Sequence, residues 1–194
     1  MNADTAHLLW TGGWDSTFRL LDLLLVQQRP VQTYYLISAS AERPAFGREI
    51  WTMTRIKQKL RAGNPAMHDL LRPTLYRDVK DLRRSPDVLE KLQRLRTAGH
   101  LGRQYAFLAE FAEQEGVDGL ELCIHRDDRA HAFIAPLVTR VEHAGDRYYR
   151  LLDPPANPNA DIFRHFRFPV FDLSKLEMER IARERGWTPF MEAT

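Results

Sequence analysis

The chain has 194 residues, 44% hydrophobic and 28% charged, and its 28 Lys and Arg against 26 Asp and Glu leave a formal charge of +2. That balance excludes a disordered chain and a polyelectrolyte, because there is enough apolar material for a core and no cationic surplus that nucleic acid would select. One cysteine, Cys123, excludes an intramolecular disulfide. With no basic-then-apolar leader and no run near the roughly 18 apolar residues that span a bilayer, the expectation is one globular domain in a reducing, cytoplasmic compartment with no membrane partner.

In chain order, Ala6 to Trp10 is a short apolar stretch that stops at Thr11-Gly12-Gly13, as a buried strand ending in a turn does. Asp15, Ser16 and Thr17 then offer N-cap chemistry to a largely buried helix carrying Phe18, Leu20, Leu21, Leu23, Leu24 and Leu25. Val31 to Ile37, rich in β-branched and aromatic residues, predicts a second strand. Polar Ser38 to Pro44 predicts a loop, and Arg48 to Leu60 predicts a helix from Ile50, Met53, Ile56 and Leu60. The charged stretch from Met67 to Arg96, with breakers at Pro73 and Pro86, reads as a helical insertion around 64–98. A helix is expected from Gln104 to Gln114, closed by Gly116, and a buried strand from Gly119 to Ile124 carries Cys123 as an inert small hydrophobe. A strand near Tyr148 to Leu152, a proline-rich loop from Asp153 to Asn159 and an amphipathic helix from Leu173 to Arg185 complete the pattern.

Strands separated by helices imply crossover connections, so the expected class is α/β with a mostly parallel sheet and helices on both faces. Ligands of such sheets sit beyond the carboxyl ends of the strands. This puts Thr11 to Thr17, Ser38 to Arg48 and His125 to Asp128 on one candidate rim.

The richest segment is Leu8-Leu9-Trp10-Thr11-Gly12-Gly13-Trp14-Asp15-Ser16-Thr17. Two glycines let backbone N–H groups approach an anion, the hydroxyls of Thr11, Ser16 and Thr17 add donors, and a helix start adds partial positive charge. The spacing is not that of a Walker loop, and by spacing alone a tight strand-to-helix turn capped by Asp15 explains it equally well. Arg103 suits an anion at a helix start but also a solvated surface. Asp127 and Asp128, flanked by His125 and His131, match no transition-metal spacing, so no protein-ligated metal is expected. Lys175 on an amphipathic helix reads equally as the polar face beside Leu173, Leu176, Met178 and Ile181.

The Thr11 to Ser16 segment resembles the Ser-Gly-Gly-x-Asp-Ser signature of the PP-loop ATP pyrophosphatases, a branch of the adenine nucleotide alpha-hydrolase-like fold. Thr11 keeps the hydroxyl of the leading serine. Gly102-Arg103-Gln104 leading into Ala106-Phe107-Leu108-Ala109 resembles the Pro-Gly-Arg-Asn helix start of the 7-cyano-7-deazaguanine synthases, whose following strand ends in an acidic loop matched by Asp128. Phe168-Pro169-Val170-Phe171-Asp172-Leu173-Ser174-Lys175 is similar to the late segment of that family, where a lysine leads into a helix. The motifs come in the family's order.

The resemblance implies a Rossmann-like adenine nucleotide alpha-hydrolase fold that uses ATP and Mg2+. It implies adenylation of a carbonyl or carboxylate oxygen of a small molecule or base, release of pyrophosphate, and displacement of AMP by a nitrogen or sulfur nucleophile, a ligase-type reaction. By the match, Thr11, Gly12, Gly13, Asp15, Ser16 and Thr17 hold phosphate, with Ser38, Gly102 and Arg103 also on the nucleotide. Lys175, Asp15 and Asp128 carry the chemistry. The family's cysteine-rich zinc segment cannot be built with Cys123 alone, and Arg129-Ala130-His131-Ala132-Phe133 stands where the family has Tyr-Pro-Asp-Cys-Arg. The reaction type therefore transfers better than the substrate.

Two other readings compete. One is an adenine-nucleotide-binding module without turnover. The other is an RNA-binding accessory resting on Arg72, Arg77, Lys80, Arg83 and Arg84, where interleaved Asp78, Asp81 and Asp87 favour a solvated face instead. The expected partners are thus ATP and a small molecule rather than nucleic acid, with a homodimer allowed.

Overall fold

A computed structural model of the chain describes residues 5–38, 45–143 and 145–194. In chain order it runs β1 (Ala6–Leu9), α1 (Trp14–Leu21), β2 (Val31–Ile37), α2 (Ala45–Gly63), α3 (Pro65–Asp69), β3 (Leu75–Asp78), α4 (Pro86–Ala98), α5 (Gln104–Gln114), β4 (Leu120–Glu121), α6 (His131–Ile134), β5 (Val138–His143), β6 (Asp146–Leu151), β7 (Phe166–Phe168), α7 (Lys175–Glu184) and α8 (Thr188–Met191). The fold is α/β with mostly parallel pairing, as the alternation of strands and helices predicts. Apart from Ser38, the loop expected up to Pro44 lies outside the described residues.

The chain divides into two compact units, 1–80 with 175–194, and 81–174. In the first, β1 pairs with β2 and β2 with β3, all parallel, in the register Leu9↔Tyr34 and Ile37↔Asp78. The three carboxyl ends therefore share one edge. Leu8, Trp10, Leu20, Leu24, Met53 and Ile56 are fully buried here, and each such side chain contributes about 1.5–3 kcal/mol relative to exposure. Helix α1 passes into a π-helical turn, Asp22–Val26, in which the Gln27 N–H reaches the Asp22 carbonyl. The Asp22 carboxylate collects Arg19, Gln27 and Arg185 at 2.8–2.9 Å, tying the turn to the residues that follow α7.

In the second unit β4 pairs parallel with β7, while β7–β6 and β6–β5 are antiparallel. Phe163, Phe166 and Phe168 are buried at its centre. The charged segment that reads as an insertion carries α3, the strand β3 and α4. Strands β3, β5 and β7 escape the sequence reading, because β7 has three residues and the exposed β3 and β5 show no apolar alternation. The strand expected from Gly119 to Ile124 contracts to Leu120–Glu121, and Cys123, beyond it, is only half-buried. One ion pair organises the charged stretch: Glu110 on α5, 1% exposed, accepts from the Ser85 N–H at 2.8 Å and lies 2.9 Å from Arg84 Nε, which holds the start of α4. No helix among the described residues is long and apolar enough to cross a membrane.

Candidate active site

Strand β1 ends at Leu9, and α1 begins at Trp14 after four intervening residues. The connection is stapled from inside, since Trp10 Nε1 donates to Thr17 Oγ1 at 3.1 Å, both residues being fully buried. Thr17, expected to face phosphate, thus packs the turn against the strand.

The two glycines differ. Gly12 has φ +72°, and a Cβ there would stand 3.0 Å from both the Glu49 carbonyl and Met53 Cγ, so the close approach of α2 demands glycine. Gly13 has φ −69° and ψ 161°, open to any residue, and is exposed; its Cβ would meet only Thr11 Oγ1 at 3.3 Å. Its backbone conformation therefore does not itself demand glycine, although an added Cβ would press on the Thr11 hydroxyl.

Gly13, not Asp15, occupies the N-cap of α1, and no side chain caps the helix. This corrects the capping expectation. Helical backbone begins at Trp14, so Asp15 lies inside the first turn, where the Nζ of Lys175, the first residue of α7, forms an ion pair with its carboxylate and lies 4.5 Å from the centre of the Trp14 ring. The first-turn N–H groups of an α-helix have no intrahelical acceptor and carry the positive end of its dipole. Ser16 Oγ donates back to the Gly13 carbonyl at 3.2 Å, and the Gly13 N–H leans weakly on Thr11 Oγ1 at 3.4 Å. Trp14 is the functional candidate that the sequence reading missed. Its signal was the spacing to Phe18, on which it stacks with ring centres 5.8 Å apart. Ser38 follows β2 directly and is half-buried.

In the second unit, the turn from His125 to Asp128 follows β4 after three residues and is knit from within. The His125 N–H donates to Asp128 Oδ2 at 3.1 Å, and the Asp127 N–H donates to His125 Nδ1 at 3.2 Å. A ring nitrogen that accepts is unprotonated, so a neutral His125 carries its proton on Nε2, 3.8 Å from Asp128 Oδ2. His131 instead stacks on Phe171 with ring centres 4.2 Å apart. Burial, and to a lesser degree the Asp128 charge, hold the Tyr105 phenol well above its ordinary value. Arg103 is exposed in the N-cap position of α5, next to half-buried Gly102, and makes no side-chain capping bond. Among the described residues no three His, Cys, Asp or Glu side chains come together as a metal site.

Of the expected site residues, the first unit brings Thr11, Gly13, Asp15, Ser16 and Lys175 to one helix start, whereas Gly102, Arg103 and Asp128 belong to the second unit. Compared with protein-family models and with curated proteins, the chain gives no match.

Proposed function

We propose that the chain is an ATP pyrophosphatase of the PP-loop type that adenylates a carbonyl or carboxylate oxygen of a small molecule. The observation that carries this reading is the placement of Lys175 on Asp15, 160 residues away, at a helix start whose glycine at position 13 the backbone conformation does not itself demand. A cation held on a carboxylate at the positive end of a helix dipole is a device for receiving several negative charges at once.

In this reading the triphosphate lies along Gly13 and the first turn of α1, with the Thr11 and Ser16 hydroxyls as further donors. The substrate oxygen attacks the α-phosphorus, the bond from that phosphorus to the bridging oxygen breaks, and pyrophosphate leaves with the electron pair. Lys175 releases Asp15 and neutralises the departing charge, which grows in the transition state. A nitrogen or sulfur nucleophile then attacks the activated carbon and expels AMP. The half-buried Asp15 carboxylate fits a magnesium ion arriving on the phosphate oxygens, and the ion, when bound, would neutralise part of their charge.

Titration with ATP and magnesium, followed by a screen of acids and amides for pyrophosphate release, tests the proposal. Release of pyrophosphate together with AMP supports it. Binding of ATP with no pyrophosphate from any acid or amide would leave a nucleotide-binding module, and absence of ATP binding would remove both readings.

A further inference from the structure

A cavity of about 480 Å³ opens in the second unit, lined by residues from three segments: the end of α4 and the α4–α5 link, the stretch from Arg129 through α6 to Leu137, and the loop at Asn157. That volume lies within the range of about 300–1,000 Å³ usual for small-molecule sites. Its walls separate by chemistry. Phe133, Pro136 and Leu137 make an apolar side, and His100, Arg129 and Asn157 bring polar side chains from three different places in the chain.

Each of the three keeps N–H donors with no acceptor among the described residues. Arg129 and His100 make no hydrogen bond or ion pair among the described residues. Asn157 turns its Oδ1 to the Asn159 N–H at 3.0 Å and Asn159 Nδ2 at 3.1 Å, and its own amide N–H pair has no acceptor among the described residues. Among the described residues no Asp or Glu lines the cavity. Donors without an acid to satisfy them attract an anion. The apolar wall is also closely fitted, since a Cβ on Gly99 would stand 2.4 Å from Phe133 Cδ2, so glycine there is what lets the ring lie against the end of α4.

We propose that this cavity binds a phosphate monoester whose organic part is flat and apolar. A carboxylate has two oxygens, and the guanidinium fork of Arg129 alone would satisfy both. Three donors on three separate segments match instead the three terminal oxygens of a phosphate monoester, with its organic group against Phe133 and Leu137. The site is independent of the ATP reading, and its test contains no ATP.

The probe is phenyl phosphate, titrated calorimetrically into the full chain and compared with inorganic phosphate and benzoate. Phenyl phosphate is expected to bind with a Kd of about 10–500 μM and more tightly than either fragment. Arg129→Met, at an exposed position, should keep the circular dichroism spectrum and weaken binding by about tenfold or more. Gly99→Ala, which displaces Phe133, should weaken phenyl phosphate but not inorganic phosphate. Four results would each overturn the proposal: no heat from the wild-type chain at about 5 mM ligand; equal affinity in Arg129→Met; benzoate or inorganic phosphate binding as tightly as phenyl phosphate; or binding that survives Arg129→Met and vanishes in Gly13→Val, which would put the ligand on the α1 loop.

Discussion

The ammonium of Lys175 stands 4.5 Å from the centre of the Trp14 ring while it pairs with the carboxylate of Asp15, so two consecutive residues of the first turn of α1 hold one cation from a distant helix. An aromatic face and a carboxylate together position the charge without burying it completely. If this cation serves the leaving pyrophosphate, Lys175→Met should lower kcat by on the order of 10²-fold with little change in the Kd of ATP. Trp14→Leu, which keeps the ion pair, should lower it less. Steady-state pyrophosphate release and ATP calorimetry on the two variants measure the difference, and a Met variant with ordinary turnover would return Lys175 to a structural role.

The glycines at the loop make opposite predictions. Gly12→Val forces a side chain into a left-handed backbone and against α2, and should cost about 2 kcal/mol or more of stability. Gly13→Val, at an N-cap where valine costs about 1 kcal/mol, should still fold yet bind ATP at least about tenfold more weakly, because its side chain blocks approach to the backbone N–H groups. Urea unfolding separates the first effect, and calorimetry the second. Equal ATP affinity in a folded Gly13→Val chain would take the nucleotide off this loop.

Asp15 is a pair partner rather than a cap, and about a third of each side chain in the pair is exposed. Asp15→Ala should therefore cost about 1 kcal/mol of stability or less, from the screened ion pair and the helix dipole together. Its larger effect is expected on magnesium-dependent turnover. A stability loss accompanied by unchanged turnover across a magnesium titration would assign the pair to structure alone.

Tyr105 sets an alkaline limit on the second unit. Its phenol is buried, with the ring packed edge-on to Phe163 at 5.4 Å between centres, and desolvation raises its pKa above the ordinary 10.0. The unfolded chain releases this proton near pH 10.0 and the folded chain does not, so the stability it contributes is present below that pH and is lost as pH rises beyond it. Tyr105→Phe keeps the ring and should flatten the fall in stability between about pH 10 and 11.5. Tyrosinate absorbance should show one of the six tyrosines ionising only on unfolding. An unaltered alkaline limb in the Phe variant would contradict this.

Elements whose formation depends on near neighbours were legible in the sequence. The run of β-branched and aromatic residues at Val31–Ile37 is β2 to the residue, and Gln104–Gln114, closed by Gly116 with φ +62°, is α5 to the residue. The Thr11 to Thr17 turn was equally visible, because glycine chemistry and strand-to-helix punctuation act over a few residues. Tertiary structure alone decided the rest. Three-residue β7 is a strand because β4 and β6 lie on either side of it, and exposed β3 is one because β2 offers it a parallel edge. The roles of Asp15, Thr17 and the two glycines turned on Lys175, Trp10 and the approach of Glu49 and Met53. Short-range conformational preferences are written into consecutive side chains, whereas a hydrogen bond or ion pair between distant segments exists only once packing has brought both partners together.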